Sequence, residues 1–353
     1  MQSFSIKKWV PWFLPLVLVF WFFGKKPSEP SVEQVHSTTR LAMGTLVTVS
    51  TWGVKGPSEE KAVDRVFTRI SQIESLASRQ DKSSPVYKIN HAPTKKTWPV
   101  PEELATIVQK GLEIKKISHG AFDPGLVFLL DLWGFANGVP DVGKIPESQA
   151  ISSWLENRKN HLEEGIRVEK SPDGTYTLQL DDVSFALDLG AIAKGYALDK
   201  AMETMKQAGV ANALIIGGGD MVIAGSKGGK PWRIGIQHPR DHDKIMAFSE
   251  IVGDMSMATS GDYERFFMVD GERQHHILDP ETGRPSRSGL ISVSIQAKEG
   301  MLADALSTAV FVMGMEKGKA FIEKWEGIEG MLVAENGERW KSVGFKGQWL
   351  DGP

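Results

Sequence analysis

The spacing of apolar and polar residues predicts many short strands and fewer helices. Helix-like periodicity covers residues 58–76, 101–118, 194–207 and 301–325. Strand-like segments bounded by Gly, Pro or Asp cover residues 45–51, 166–168, 176–180, 213–216, 221–224, 232–237, 247–252, 266–269, 290–296 and 331–334. Because strands and helices do not alternate regularly, the pattern predicts the α+β fold class. Ser58 is the predicted cap of the first helix, and the polar stretch 78–98 reads as a loop.

One apolar run is unlike the rest of the chain. Residues 9–23 are uninterrupted by charge and have a lysine pair on each side. Fifteen helical residues rise about 22 Å, less than the roughly 30 Å of a bilayer core, but flanking lysines can snorkel. No convincing small-x-small cleavage site follows the run. We therefore expect residues 1–24 to form an apolar anchor helix, an uncleaved signal anchor, with a cleaved signal as the alternative.

The residues that follow divide the chain into a linker and a globular part. The Pro, Ser and Glu content of residues 25–39 predicts a linker. Residues 40–350 then form the globular domain, which we expect outside the cytoplasm because a long domain usually translocates behind such a segment.

Composition excludes several classes of function. The 353 residues carry a net charge of −3 and no long basic run, so nucleic-acid binding is not expected. The chain contains no cysteine, which excludes disulfides, a thiolate nucleophile, iron–sulfur ligation, Cys-type zinc sites and a lipid-modified N-terminal cysteine.

The stretch ADALSTA near the start of the last predicted helix carries the most informative chemistry. Asp304, Ser307 and Thr308 are spaced i, i+3 and i+4, so they share one helix face. A carboxylate and two hydroxyls make an oxygen-only group that suits a hard cation such as Mg²⁺. The alternative is ordinary packing of Ser and Thr, with Asp near the positive end of the helix dipole.

A second candidate lies where a predicted strand turns into a helix, at LDLGAIAKGYA. Its small residues let the backbone approach a ligand, and the amides of a helix N-terminus together with Lys194 suit a phosphate. The P-loop spacing is absent. A tight connection with a solvated lysine is the equally weighted alternative.

Three further stretches are too unspecific to indicate a function alone and become informative only together with the other motifs. Asp123 in GAFDPG could contact the sugar or ring of a nucleotide, or merely cap a turn. The triglycine 217–219 lacks the GxGxxG pattern, and the hydroxyls of TSGDY lack a nucleophile elbow. His275 and His276 point to opposite faces if they lie on a strand, which argues against a two-His zinc site. His276 is the candidate for proton transfer, and a structural histidine is the alternative.

Taken together and in order, these stretches closely resemble the ApbE family of FAD:protein FMN transferases, or flavin transferases. The match follows Met43-Gly44-Thr45, GAFDPGL, LDLGAIAKGYALDKA, IIGGGD, PWRIGIQHPR, MATSGDYERFF, HHILDPETGRP and ADALSTA, over roughly residues 40–340. Each motif alone is unspecific, whereas the ordered set is specific. The resemblance implies an ApbE-like fold of mixed antiparallel sheets with packed helices.

The resemblance also implies an activity and its residues. Such proteins bind FAD and Mg²⁺, cleave the pyrophosphate, release AMP and join FMN to a threonine hydroxyl of an acceptor protein, typically a subunit of a membrane redox complex. The implied metal ligands are Asp304, Ser307, Thr308 and the carbonyl of Ala191. The implied flavin contacts are Met43, Arg79, Ala121, Phe122, Asp123, Asp188, Lys194 and Leu278. The implied location is the inner membrane with the globular part facing the periplasm. Because the cysteine that anchors many relatives is absent, the apolar run serves as the anchor or the protein is released.

Two other functions use nearly the same site. With water in place of threonine, the protein would be a metal-dependent FAD pyrophosphatase that yields FMN and AMP. Without chemistry, it would be an FAD-binding protein of the envelope.

Overall fold

The computed structural model of the protein describes residues 34–135, 140–159 and 165–350. Eight helices pack around a large antiparallel sheet and several smaller ones in these residues. The helices are α1 (Pro57–Ala77), α2 (Pro85–Asn90), α3 (Glu102–Ile117), α4 (Val127–Leu132), α5 (Ser148–Lys159), α6 (Ala193–Gln207), α7 (Gly300–Met313) and α8 (Met315–Lys324), with a 3₁₀ turn at Val183–Phe185. The strands are β1 (Val35–Ala42), β2 (Thr45–Trp52), β3 (Thr97–Val100), β4 (Ile166–Lys170), β5 (Tyr176–Leu180), β6 (Ala213–Gly217), β7 (Asp220–Ala224), β8 (Trp232–His238), β9 (Asp241–Ile251), β10 (Met255–Gly261), β11 (Phe266–Val269), β12 (Glu272–His275), β13 (Leu278–Asp279), β14 (Arg284–Pro285), β15 (Leu290–Ala297), β16 (Glu329–Ala334), β17 (Arg339–Lys341) and β18 (Gln348–Trp349).

The main sheet has eight strands in the order β1-β2-β6-β7-β10-β15-β16-β17. Its described pairings are all antiparallel. Successive side chains of a strand point to opposite faces. Ile215 accordingly packs with the buried residues of α1 and α6, and the preceding Leu214 packs with those of β8 and β9. The centre of the sheet is therefore covered on both faces, by helices on one and by the smaller sheet β18-β9-β8 on the other.

The remaining elements form two smaller groups. The sheet β3-β5-β4 shares its buried residues with α3, and these continue into the core beneath α7. A separate apolar cluster joins α4 and α5 to the β11 and β13 strands through Leu129, Trp133, Phe135, Trp154 and Leu278. The predicted α+β class and the antiparallel sheets with packed helices are confirmed.

Several predicted boundaries are wrong, each for a local reason. The periodic segment 301–325 is two helices, because the chain takes a φ of 81° at Gly314. Ser58 does not cap α1, which follows Gly56 and has Pro57 in its first turn. The stretch 78–98 contains α2, which Ser84 caps by accepting a hydrogen bond from the amide of Tyr87.

The N-terminal predictions fall mostly outside the described residues. The anchor helix predicted for residues 1–24 lies there entirely, as does most of the linker predicted for 25–39. The last residues of that linker are not a linker, because β1 begins at Val35 and pairs with β2 along its whole length. Within residues 34–135, 140–159 and 165–350, no helix combines the length and apolar character needed to cross a membrane.

His275 makes the stability of the fold depend on pH. Its ring is 3% exposed, lies edge-on to Phe311 of α7, and has Nε2 at 3.0 Å from the carbonyl oxygen of Ser286. Burial lowers the pKa of His275 to about 4. The unfolded chain, with a pKa near 6.5, then binds more protons between about pH 4 and 6.5.

We therefore expect His275 to lower the free energy of unfolding by roughly 3 kcal/mol as the pH drops through that window. Urea unfolding of the wild type and of His275→Gln across the window measures the contribution, because the variant should lose less stability in acid. The exposed His91→Gln variant should follow the wild type. Parallel curves for His275→Gln and the wild type would contradict the assignment.

Candidate active site

The first turns of α6 and α7 meet at a buried cluster of charge. The strand predicted before α6 is not formed, because a 3₁₀ turn and irregular backbone lead from residue 183 to residue 192. Lys194 follows this corner directly, and its Nζ lies 3.4 Å from Oδ1 of Asp304 on α7. The same ammonium forms a salt bridge with Asp220, the first residue of β7. The amide of Gly195 donates to Oδ2 of Asp304 at 3.0 Å. The two segments that the sequence singled out, the corner and the ADALSTA helix face, are thus in direct contact.

Burial makes the cluster electrostatically unusual. Asp304 is 3% exposed, and burial together with the nearby Asp220 raises its pKa to about 7, although Lys194 opposes this. Burial would lower the pKa of Lys194, but the carboxylates of Asp220 and Asp304 outweigh it and raise that pKa. Two buried carboxylates share a single ammonium, so once Asp304 is deprotonated the cluster has an excess of negative charge that a cation would neutralise.

Hydroxyl oxygens continue the same surface one turn along α7. The Oγ of Ser307 lies 2.7 Å from the Oγ of Ser260 on β10, and the Oγ1 of Thr308 lies 3.2 Å from it. Ser307 also donates to the carbonyl of Asp304 at 2.8 Å. The i, i+3, i+4 face predicted from the sequence is therefore formed, with an additional hydroxyl supplied by the sheet. Oxygen-only donors of this kind suit Mg²⁺.

The carbonyl of Ala191 belongs to the same corner. The amide of Gly195 is one of the first-turn amides of α6, which have no acceptor within the helix, and it donates to Asp304. Ala191 lies two residues before α6, and its carbonyl as a metal ligand remains a prediction. In the part of the chain that the structure describes, no group of three or more His, Cys, Asp or Glu side chains could hold a metal. A metal site here would therefore depend on few carboxylates, with hydroxyl and carbonyl oxygens as the other ligands.

An ion pair between Asp188 and Arg79 borders the corner on the other side. Asp188 accepts from Nε of Arg79 at 2.7 Å and from the amide of Gly190 at 2.8 Å. Arg79 also donates to Asp131 and to the carbonyl of Phe135, both at 2.9 Å. The guanidinium thus ties the predicted cofactor residue Asp188 to α4 and to the residues after it.

His276 has the properties of a neutral base. Its backbone amide donates to the carbonyl of Arg265 at 3.1 Å, and its Nδ1 lies 3.2 Å from the same oxygen. Burial, helped by the charge of Arg265, lowers the pKa of His276 well below 6.5. With Nδ1–H donated to Arg265, Nε2 keeps its lone pair. The rings of His275 and His276 contact Phe311 and Phe135 respectively, so they do not share one metal site.

The polar groups of Asp123 and its neighbours are bonded mainly to other residues of the protein. The carboxylate of Asp123 forms salt bridges with Lys115, at 2.9 Å, and with Arg158, and it accepts from the amide of Gly125. Although burial opposes it, these cations lower the pKa of Asp123. The loop reaches the corner through its backbone, because the amide of Asp188 donates to the carbonyl of Pro124 at 2.7 Å.

Other predicted flavin contacts vary in accessibility. Phe122 and Leu278 are core side chains, 2% and 4% exposed, whereas Ala121 is partly exposed. Met43 occupies the β1–β2 turn at a φ of 51° and packs against the core on both sides of α6. The flavin contacts of these residues remain predictions.

Two contributors to the cluster, Asp220 and Ser260, were not among the predicted site residues. Both lie in stretches that carry the family resemblance, IIGGGD and MATSGDYERFF, but nothing in their spacing gave either of them a role. Both are positioned by the β7–β10 pairing, in which Asp220 lies opposite Ala258.

The chain is similar to proteins of known activity along most of its length. The model of the ApbE family matches residues 43–332. An FAD:protein FMN transferase of Klebsiella pneumoniae is 32% identical over 303 residues, which cover 85% of this chain and 84% of the relative. One of Treponema pallidum is 33% identical over 311 residues, with 84% of each chain covered.

Solved structures show the same likeness. The crystal structure of the ApbE protein of Thermotoga maritima has a TM-score of 0.78 and 33% identity, and covers 89% of this chain and 98% of its own. The flavin transferase ApbE of Vibrio cholerae has a TM-score of 0.76 and 28% identity, with coverage of 89% and 99%.

Proposed function

The chain belongs to the ApbE family, and on that basis we propose that it is an FAD:protein FMN transferase that joins FMN to a threonine hydroxyl of an acceptor protein and releases AMP. The observation that carries the proposal is the contact of Lys194 and the Gly195 amide with the buried carboxylate of Asp304. It unites a phosphate-binding helix N-terminus with an oxygen-rich helix face.

Mg²⁺ fits the donor set and the charge of this cluster. Asp304, Ser307, Thr308 and the Ala191 carbonyl would hold it, and Asp304 would be deprotonated to do so. When bound, the ion acts as a Lewis acid and template on the pyrophosphate. The surplus negative charge of Asp220 and Asp304 beside one lysine supports a divalent cation here.

Lys194 and the corner supply the binding of the FAD diphosphate. The first amides of α6 and the lysine ammonium present positive charge to the phosphates. Arg79 and Asp188 border the corner where the FMN half would lie, with Met43, Ala121, Phe122, Asp123 and Leu278 as further flavin contacts.

The reaction transfers the FMN group from the diphosphate of FAD to the threonine oxygen. The acceptor threonine oxygen forms a bond to the FMN phosphorus, the bond from that phosphorus to the bridging oxygen breaks, and AMP leaves with that oxygen. The proton of the threonine hydroxyl moves to Nε2 of His276. No covalent intermediate with this chain is needed, which agrees with the absence of cysteine.

The cellular setting is proposed from the N-terminal sequence. Residues 1–24 anchor the protein in the inner membrane, with the globular part in the periplasm and the acceptor a subunit of a membrane redox complex. The charged flanks of the apolar run and the polar segment behind it support this arrangement.

Intact-mass spectrometry tests the reaction. The purified protein is incubated with FAD, Mg²⁺ and candidate acceptor subunits, and AMP is followed by chromatography. We expect an acceptor to gain the mass of FMN at a threonine with equimolar AMP. Free FMN and AMP alone would instead identify a pyrophosphatase, and bound but intact FAD would identify a binding protein.

Lys194→Ala should weaken FAD binding about tenfold, as expected for loss of one charge-assisted phosphate contact worth about 1.4 kcal/mol. Quenching of flavin fluorescence in the absence of acceptor measures the affinity. Lys200→Ala is the matched control, because Lys200 lies on the same helix and its salt bridge is with Glu203, one turn further along α6. An unchanged affinity of Lys194→Ala for FAD would remove the lysine from the phosphate site.

A further inference from the structure

The helices α6 and α7 hold each other by reciprocal hydrogen bonds at their crossing. Asp304 of α7 accepts from the amide of Gly195 of α6 at 3.0 Å. In return, Asp199 of α6 accepts from the first two amides of α7, with Oδ1 at 2.7 Å from the nitrogen of Gly300 and Oδ2 at 2.9 Å from that of Met301. Each helix thus supplies a carboxylate to the backbone of the other.

The crossing is too close to tolerate displacement. A Cβ built on Gly195 would lie 2.1 Å from the carbonyl oxygen of Gly300, and one built on Gly300 would lie 2.9 Å from the carbonyl oxygen of Gly195. Glycine at both positions lets the two backbones touch. Any shift of the α7 N-terminus along this contact therefore changes where the next turn of α7 lies.

Asp199 also performs a task that α7 does not perform for itself. The residue before the helix, Glu299, makes no side-chain cap hydrogen bond. The free amides of a helix N-terminus require acceptors, and here a side chain from another helix provides two. Burial raises the pKa of Asp199 to about 6 against the effect of these amides, so the fold keeps a poorly solvated carboxylate at this point.

Asp304 lies four residues after Gly300, directly above it on the helix. From these contacts we propose that Asp199 is a positioning residue that fixes the Asp304 carboxylate against Lys194 and the Gly195 amide, and thereby sets the affinity of the site for its divalent cation. The inference rests on the proposed function in one respect, the presence of a metal at Asp304. It assigns Asp199 no contact with substrate or metal.

Metal binding can be measured without turnover. Mn²⁺ is titrated into the full-length protein loaded with FAD, without acceptor, and bound ion is followed by loss of the free-ion EPR signal. The variants are Asp199→Ala, which removes both acceptors, and Asp199→Asn, which keeps one oxygen. Glu203→Gln is the matched control, because this exposed acid of α6 lies one turn beyond Asp199 and pairs with Lys200. Thermal unfolding and FMN transfer are recorded in parallel.

We expect Asp199→Ala to bind Mn²⁺ about tenfold more weakly, Asp199→Asn to lie between it and the wild type, and Glu203→Gln to match the wild type. In transfer assays, Asp199→Ala should need correspondingly more Mg²⁺ for half-maximal rate but regain most of that rate at saturation.

A lower melting temperature with unchanged Mn²⁺ affinity would mean that Asp199 only stabilises the fold, and would overturn the proposal. If Asp199→Ala does not fold, wild-type Mn²⁺ affinity in Asp199→Asn overturns it, and weakened affinity supports it. A wild type that binds no Mn²⁺ overturns the proposal as well. A wild type that binds Mn²⁺ but transfers no FMN contradicts only the proposed function, and the Mn²⁺ series still decides the role of Asp199.

Discussion

Replacing Asp304 with alanine should reduce FMN transfer at least a thousandfold while leaving the protein folded. Asp304 is the only carboxylate on the oxygen face of α7, and it also accepts the Gly195 amide. Loss of this carboxylate removes the anionic ligand of the proposed cation and the electrostatic stabilisation that it supports. Initial rates measured by intact mass of the acceptor, at saturating FAD and Mg²⁺, give the size of the effect.

The stability of the same variant separates a functional from a structural carboxylate. The pKa of Asp304 is raised to about 7, so the folded protein binds more protons than the unfolded chain between about pH 4 and 7. Without metal, this group destabilises the fold increasingly as the pH rises through that window. Metal-free Asp304→Ala and Asp304→Asn should therefore be at least as stable as the wild type at pH 8.

Added Mg²⁺ should reverse that order by stabilising only the wild type. Asp304→Asn keeps an acceptor for the Gly195 amide, so its failure to transfer FMN would show that the charge matters. Substantial transfer by Asp304→Asn would mean that the cation is held elsewhere.

Replacing His276 with alanine should slow FMN transfer by about 10² to 10⁴, the usual contribution of a positioned general base. FAD and Mn²⁺ affinities should be retained, because His276 lies outside the proposed metal ligands. His91→Ala, an exposed histidine on the α2 side of the molecule, is the matched control.

The pH profile gives a second test of His276. Because burial and Arg265 lower the pKa of His276 well below 6.5, the ring stays neutral at mildly acidic pH. The wild-type rate at saturating Mg²⁺ should therefore show no loss attributable to His276 as the pH falls from 7.5 to about 6.5. An undiminished rate in His276→Ala would transfer the role of base to another group, such as a carboxylate near the metal.

Local features of the site could be predicted from the sequence because they need only the geometry of one element. The shared face of Asp304, Ser307 and Thr308 follows from helical spacing. The helix pattern likewise predicted α6, but the strand predicted directly before it was wrong, because a 3₁₀ turn and irregular backbone lie there. The break at Gly314 was missed because apolar periodicity continues on both sides of it. The β1 strand was missed because its polar residues resemble the preceding linker.

Features that depend on the order of strands could not be predicted in this way. Asp220 and Ser260 are forty residues apart in number, and they belong to one cluster because β7 pairs with β10 in the main sheet. The role of Asp123 was likewise hidden, because its partner Arg158 is supplied by α5. The ordered motifs identified the family, but the cluster of Lys194, Asp220 and Asp304 required the fold.

We propose that one divalent cation binds between the α7 oxygen face and the corner before α6, where it would hold the FAD diphosphate. Anomalous diffraction from crystals of the His276→Ala variant, in which Asp199 is unchanged, tests this most directly after the crystals are soaked with FAD and Mn²⁺. We predict a manganese peak bonded to the Asp304 carboxylate and to a diphosphate oxygen, with Lys194 near the phosphates. A manganese peak elsewhere, or a diphosphate bound away from Asp304, would contradict it.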